Sequence, residues 1–574
     1  MLDYLVRGAT IVDGSGDPPR VGDVAVRAGR IATVGHVDED ATTVVDGAGL
    51  VVAPGFIDNH THYDAQLFWD PMLSPSNVHG VTTVLGGNCG FTLAPLRAAD
   101  GDYIRRMMAR VEGMPLAALE TGVDWTWESF GDFLDAVERR GVAINAGFLV
   151  GHCALRRYVM GADAIGQEAD EAQQKAIVAL LHECIEAGGL GFSTTMSQTH
   201  SDGDGKPVAS RHASRDELLA LCAAVGEHEG TFLEGIVPGC LDEFSDDEIE
   251  LLAQMSAAAN RSLNWNLLTI DSREPHKVGR QLEASRRARE IGGRVIALTM
   301  PILVPMNMSF GTFCGLWLIP GWGEVLNRPL ADRMEQLGRP EVRARLQELA
   351  KSKDAGVFRR LGNFSRYVIG DTYSAENEGL KGRVVKEVAA ERGLEPFDAL
   401  LDIVIKDELR TVLWPMPRDN DPDTWELRRA SWERPDVMLG GSDAGAHLDR
   451  MAGAPFPTRF LGDMLRGRKL MPLERAVRMI TGEQADVFGL KDRGYLRAGY
   501  HADLVVFDPE TIAAEDATLV RDLPGDAPRL TAGSMGVVRV LVNGVETVRD
   551  SVANGATPGT VLRSGRDTVT VTTA

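Results

Sequence analysis

VVAPGFIDNHTHYD, residues 51–64, begins as an apolar run and ends with two histidines, His60 and His62, one residue apart. In an extended strand, side chains at i and i+2 leave the same face, about 6–7 Å apart at Cα. Two imidazoles placed that way can converge on one metal ion, each at about 2.0–2.1 Å. The alternative is a pair of solvated turn histidines following Pro54-Gly55. The rest of the chain has to decide between the two.

Beyond this stretch the sequence alternates. EAQQKAIVALLHECIEAGG places Ile177, Leu180, Leu181, Cys184 and Ile185 on one helical face, stops at Gly188-Gly189 and runs into LGFSTT. Ser214 to Glu217 and Ser245 to Glu248 have capping-box spacing and open two further helices, each followed by a short apolar strand. The pattern predicts eight strands, near 53–62, 81–89, 142–152, 190–195, 231–236, 262–268, 294–300 and 436–443. A helix-then-strand rhythm of this length predicts an α/β protein of the (β/α)8 TIM-type barrel class over 53–489, with its chemistry at the C-terminal ends of the strands. No GxGxxG follows a strand, which disfavours a doubly wound dinucleotide fold. Residues 301–435 are long for one connection, so a lid or cap is expected at about 301–370. The two ends, 1–52 and 490–574, share short glycine-punctuated β-type runs and are expected to form one small sheet domain together.

Net charge is −22, so a polyanionic partner such as nucleic acid would be repelled. The six cysteines are scattered without CxxC spacing, as in a reduced cytoplasmic protein. The N-terminus lacks the apolar core of a signal peptide, and no apolar stretch is long enough to span a bilayer. These features point to a cytoplasmic protein acting on a small molecule, with no nucleic-acid or membrane partner, and they allow a homo-oligomer.

The expected strand ends read as a site. After His60 and His62 come Cys89 in GGNCG, His152 in VGHCALRR, the run Ser193-Thr194-Thr195, Glu234, Asn266, Asp443 in GSDAG and then His447. Imidazoles with a carboxylate or thiolate suit zinc, which can keep a position open for water and lower that water's pKa. Asp443 beside the metal could act as general base and then acid. Each residue also has a plainer reading: Asp443 as a turn-former, Cys89 as a buried thiol, His152 as a core histidine. Arg156, Arg157 and Arg450 could bind a substrate carboxylate or form ordinary ion pairs.

PGFIDNHTH, GVTTVLGGNCG, GHCALR, GLGFSTT, GSDAG and GYLRAGYHADLVVFDPETI together resemble the amidohydrolase superfamily, and within it the N-acyl-D-amino-acid deacylases. The resemblance spans nearly the whole chain. It implies a metal-dependent barrel hydrolase with a β-sandwich built from both chain ends. His60, His62, Cys89 and Asp443 match metal-site positions, and Asp443 matches the catalytic acid/base. The relatives carry further metal-binding histidines on strands five and six, where this chain has Glu234 and Asn266. The lysine expected two residues beyond is Leu268, and the strand-four lysine with which many other superfamily members bridge two metals has no counterpart, since that strand ends in Ser-Thr-Thr. The expectation is one well-occupied zinc at His60, His62 and Asp443, with Cys89 and Glu234 completing it or holding a second ion. His152, Asn266, Arg156, His447 and Arg450 are the candidates to face substrate. A deaminase or cyclic-amide hydrolase on the same scaffold, and a metal-poor ligand-binding protein, are the competing readings.

Overall fold

The computed structural model describes residues 1–573. Eight short parallel strands occupy the predicted positions: β1 (Phe56–Asp58), β2 (Val81–Gly86), β3 (Asn145–Phe148, resuming after Leu149 as Val150–Gly151), β4 (Gly191–Thr195), β5 (Phe232–Ile236), β6 (Ser262–Trp265), β7 (Arg294–Thr299) and β8 (Val437–Leu439). Nearly every residue in them is buried, as expected of parallel strands covered on both faces. They pair in chain order, β1 to β2 to β3 in one sheet and Val150–Gly151 through β4 to β8 in another. Beyond β1 and β8 the chain makes a parallel bridge, Thr61 with Ala444. The His62 amide donates to the Ala444 carbonyl at 2.7 Å. Ile57, Leu85, Leu149, Phe232, Ile296, Leu298 and Met438 form one buried cluster with Ala485, Val487 and Phe488.

Helices separate the strands, α1 (Gly101–Val111), α2 (His152–Met160), α3 (Glu171–Glu186), α4 (Arg215–Gly226), α5 (Asp246–Ala259) and α6 (Pro275–Glu290), and α2 to α6 pack on them. The capping box at Ser245 and Glu248 forms in both directions. At Ser214 only half of the expected box forms. The Ser214 hydroxyl accepts from the Glu217 amide, but the Glu217 carboxylate is drawn away to His152 and Arg156.

Leu2–Ile11 pairs with Arg20–Arg27, Ala41–Asp46 and Val51–Pro54, and the last of these pairs with Leu504–Phe507, within a nine-stranded sheet. The stretch expected as one strand over 53–62 is divided at Gly55. Its amide donates to the Asp503 carbonyl, and a Cβ there would lie 2.1 Å from the Thr82 hydroxyl. The C-terminal segment is not confined to the terminal sheet, because Val561–Leu562 pairs in parallel with β3.

The chain forms two compact units, one of residues 1–302, 422–448 and 452–574, the other of 303–421 and 449–451. The second unit runs well past the boundary expected near 370. The reason is packing: Phe397, on the helix Pro396–Lys406, stacks on Phe364 at 4.3 Å and lies 5.8 Å from Trp322, making one core across the segment. Among the described residues, no helix is long and apolar enough to cross a membrane.

Candidate metal centre

The turn after β1 carries His60 and His62 inward, both essentially inaccessible to solvent. After β2, GGNCG folds back so that the Asn88 amide group donates to the Thr61 and Leu85 carbonyls, tying this loop to the histidine segment. Cys89 is held there at φ +57°, and its backbone amide donates to Glu234 Oε2 at 2.8 Å. Asp443 and His447 are also left-handed, at φ +53° and +50°. Such backbone is unfavourable outside glycine and, where it occurs, concentrates at functional sites.

The ligand atoms of His60, His62 and Cys89 all lie within 4.8 Å of one another. His60 Nε2 is 3.5 Å from Cys89 Sγ, 3.3 Å from Asp443 Oδ1 and 3.2 Å from Asn266 Nδ2. His62 Nε2 is 3.9 Å from Cys89 Sγ, 3.8 Å from Asp443 Oδ1 and 3.6 Å from Glu112 Oε2. The Asp443 side chain is 22% exposed, whereas the histidines are sealed, so the carboxylate marks the open side of the cluster.

Charge in this space is strongly coupled. Burial works to raise the Asp443 pKa, but the hydrogen bond and charge of His60, with His447 and His62, outweigh it and hold it at about 2. Burial disfavours protonated His60, yet Asp443 and Glu234 prevail and raise its pKa. His62 goes the other way, lowered by burial and by the neighbouring His60. Burial pushes Glu234 up to about 7. The Cys89 thiol is raised well above its usual range by burial and by Glu234, Glu112 and Asp443. Carboxylates crowded into a desolvated space repel one another unless a cation lies among them, and a cation there would also favour the Cys89 thiolate. Glu234 Oε1, buried, has no hydrogen-bond partner among the described residues. The donor set, imidazole nitrogen with thiol sulfur and carboxylate oxygen, fits a divalent ion of the zinc type.

Not every expected residue reaches this space. Ser193 and Glu234 stand in register on β4 and β5 and so share a face, whereas Phe192 and Thr194 face the opposite way. His152 belongs to that other face: Nδ1 meets the Thr194 hydroxyl at 2.8 Å, Nε2 meets Glu217 Oε1 at 2.8 Å, and the ring packs on Phe192. Arg156, fully buried, pairs with the other Glu217 oxygen and donates to the Gln167 carbonyl. Both were expected to face substrate, and instead both are engaged by Glu217, which α4 inserts from the helical layer. Arg157 pairs with Asp100 at 2.7 Å. Arg450 lies in the second unit, paired with Asp449 and stacked on Phe313 at 3.9 Å. His447 is half-buried, and its amide donates to the Glu112 carbonyl at 2.5 Å. Leu268, where the resemblance implies a lysine, is buried. Glu112 is the residue sequence reading missed. It follows a helix between two strands and belongs to no strand end, so only the glycine and proline after it, in VEGMP, hinted at a fixed turn.

Buried nitrogen, sulfur and oxygen donors gathered where parallel strands end make a site for a divalent metal ion, and with the family match they define a metal-dependent hydrolase acting on carbon–nitrogen bonds. The chain belongs to the amidohydrolase family, whose profile matches residues 43–548. It is 30% identical over 566 residues to the D-aminoacylase of Alcaligenes xylosoxydans xylosoxydans, covering 98% of this chain and 97% of that protein. It superposes on the N-acyl-D-glutamate deacylase of Bordetella bronchiseptica, solved with zinc and a phosphonate mimic of the tetrahedral intermediate, with a TM-score of 0.64 at 26% identity over 98% of this chain and all of the other. A D-aminoacylase with a binuclear metal centre, activated by one metal and attenuated by the second, superposes with a TM-score of 0.63 at 27% identity and the same coverage.

Proposed function

We propose that this chain removes the acyl group from N-acyl-D-amino acids at a zinc centre held by His60, His62 and Asp443, with Cys89 and Glu234 completing it or holding a second, weaker ion. The observation that carries the reading is the convergence of His60, His62 and Cys89 within 4.8 Å, with Asp443 Oδ1 3.3 Å from His60. The near-full-length similarity to D-aminoacylase supports the substrate class. The eight parallel strands are read as a closed (β/α)8 barrel. Support comes from pairing in chain order and from the Thr61–Ala444 bridge that joins the last strand to the first.

When bound, zinc supplies a Lewis acid for the scissile carbonyl and an acidified water. The chain's own groups do the rest. Asp443, ionised at neutral pH and open on one side, takes the proton of the attacking water and returns it to the departing amine nitrogen. The left-handed turn, with the His60 imidazole 3.3 Å from Oδ1, holds that carboxylate in place. Asn266, its Nδ2 beside His60, is a poor zinc ligand and a good donor to a substrate oxygen. His447, half-buried and four residues beyond Asp443, is the candidate to meet substrate. Incubating zinc-supplemented protein with paired N-acetyl-D- and N-acetyl-L-amino acids tests the reading. Free amine from the D series is expected; hydrolysis of the L series alone, or ammonia release from purines or pyrimidines, would sink it.

A further inference from the structure

Glu112 enters the centre from an unexpected place. It follows α1, in the connection between β2 and β3, and caps that helix with its amide donating to the Met108 carbonyl. Its own carbonyl accepts from His447, which secures it to the segment after Asp443. Gly113 follows at φ +58°, a conformation that lets the chain turn away while the Glu112 side chain stays inside. The side chain is 3% exposed.

Its distance from His62 has a specific meaning. At 3.6 Å, Glu112 Oε2 and His62 Nε2 are too far apart for a good hydrogen bond. Two donors each about 2.0–2.2 Å from one ion, at tetrahedral angles, stand roughly 3.3–3.6 Å apart. The other contacts of the centre have the same character, from 3.3 Å between His60 and Asp443 to 3.9 Å between His62 and Cys89. β6 meanwhile ends at Asn266, a weak zinc ligand, so this strand adds no strong donor to those from the other strand ends.

We infer that Glu112 is a metal ligand, a carboxylate supplied from outside the strand ends to the ion held by His62 and Asp443. This rests on the metal-centre reading above. A ligand here would also orient the His447 segment, since one residue's carbonyl holds that segment and its carboxylate holds the ion.

The test is metal binding by the whole chain, without turnover. Metal-free wild type, Glu112→Gln, Glu112→Asp and the surface control Glu120→Gln are titrated with Zn2+ by calorimetry and with Co2+ by visible absorption, after circular dichroism has checked folding. The expected result is an affinity at least about tenfold weaker in Glu112→Gln, with changed Co2+ ligand-field bands, and a smaller loss in Glu112→Asp, which keeps the charge but retracts it. Unchanged affinity and bands in both Glu112 variants would overturn the inference while leaving the centre standing. Weakened affinity with bands identical to wild type would also overturn it, because the group would then act only through His62. No binding by wild type would instead bring down the metal-centre reading itself.

Discussion

Two buried clusters of histidine and carboxylate lie on opposite faces of the same strands, and they differ in how their polar atoms are satisfied. On the outer face, both nitrogens of His152 are paired, and both oxygens of Glu217 are taken by His152 and Arg156. On the inner face, the Nδ1 atoms of His60 and His62 and Oε1 of Glu234 find no hydrogen-bond partner among the described residues. Separations there run mostly from 3.3 to 3.9 Å, longer than good hydrogen bonds. A network in which the imidazole and the carboxylate are fully paired holds a helix to a sheet. A cluster that is buried, rich in carboxylates and left open is explained by a cation and a substrate.

The sharpest break of that comparison is loss of activity without loss of fold. Asp443→Asn should lower kcat/KM by about 10^2–10^4-fold, and His60→Ala by on the order of 10^3-fold or more, while circular dichroism stays native. Activity surviving both changes would move the chemistry elsewhere.

The outer cluster should behave in the opposite way. Glu217→Gln leaves Arg156 buried without its counter-charge and should destabilise the fold by about 3–5 kcal/mol, read in denaturant unfolding, with bound metal per folded chain unchanged. A stable Glu217→Gln protein that had lost its metal would erase the distinction between the two faces.

A fourth buried histidine sharpens it further. His79 sits between the Thr458 hydroxyl and the Ala532 carbonyl with no carboxylate in contact, and burial lowers its pKa from 6.5 to about 4. The unfolded chain therefore binds the proton first. The stability at stake is fully present above about pH 6.5 and is lost as pH falls towards 4, up to about 3 kcal/mol. His79→Gln should flatten the fall in melting temperature between pH 7 and 4.5; an unchanged slope would show that His79 is not the titrating group.

Much of this was legible beforehand for a local reason. Strand positions follow from runs of buried β-branched residues, and the inward pair at His60 and His62 follows from i, i+2 spacing. Cys89, Glu234, Asn266 and Asp443 could be named because each stands where a strand ends. His152 and Arg156 stand at a strand end too, yet α2 begins at His152 and turns both towards the helical layer, where Glu217 waits. That turn has no signature in the residues themselves. The half-formed cap at Ser214 records the same event, since the glutamate of the motif was already engaged.

By itself, then, the sequence determined the alternating strands and helices, the paired ends of the chain and the histidine pair that announces a metal. These depend on neighbours within a turn or a strand, where side-chain direction follows from spacing. Only the tertiary structure decided that Glu112 joins His62 across 50 positions of chain, that Glu217 removes His152 and Arg156 from the site, and that the second unit extends to residue 421. Those outcomes depend on which distant polar groups are buried together. Such groups settle where their charges can be matched, and that is a property of the assembled core.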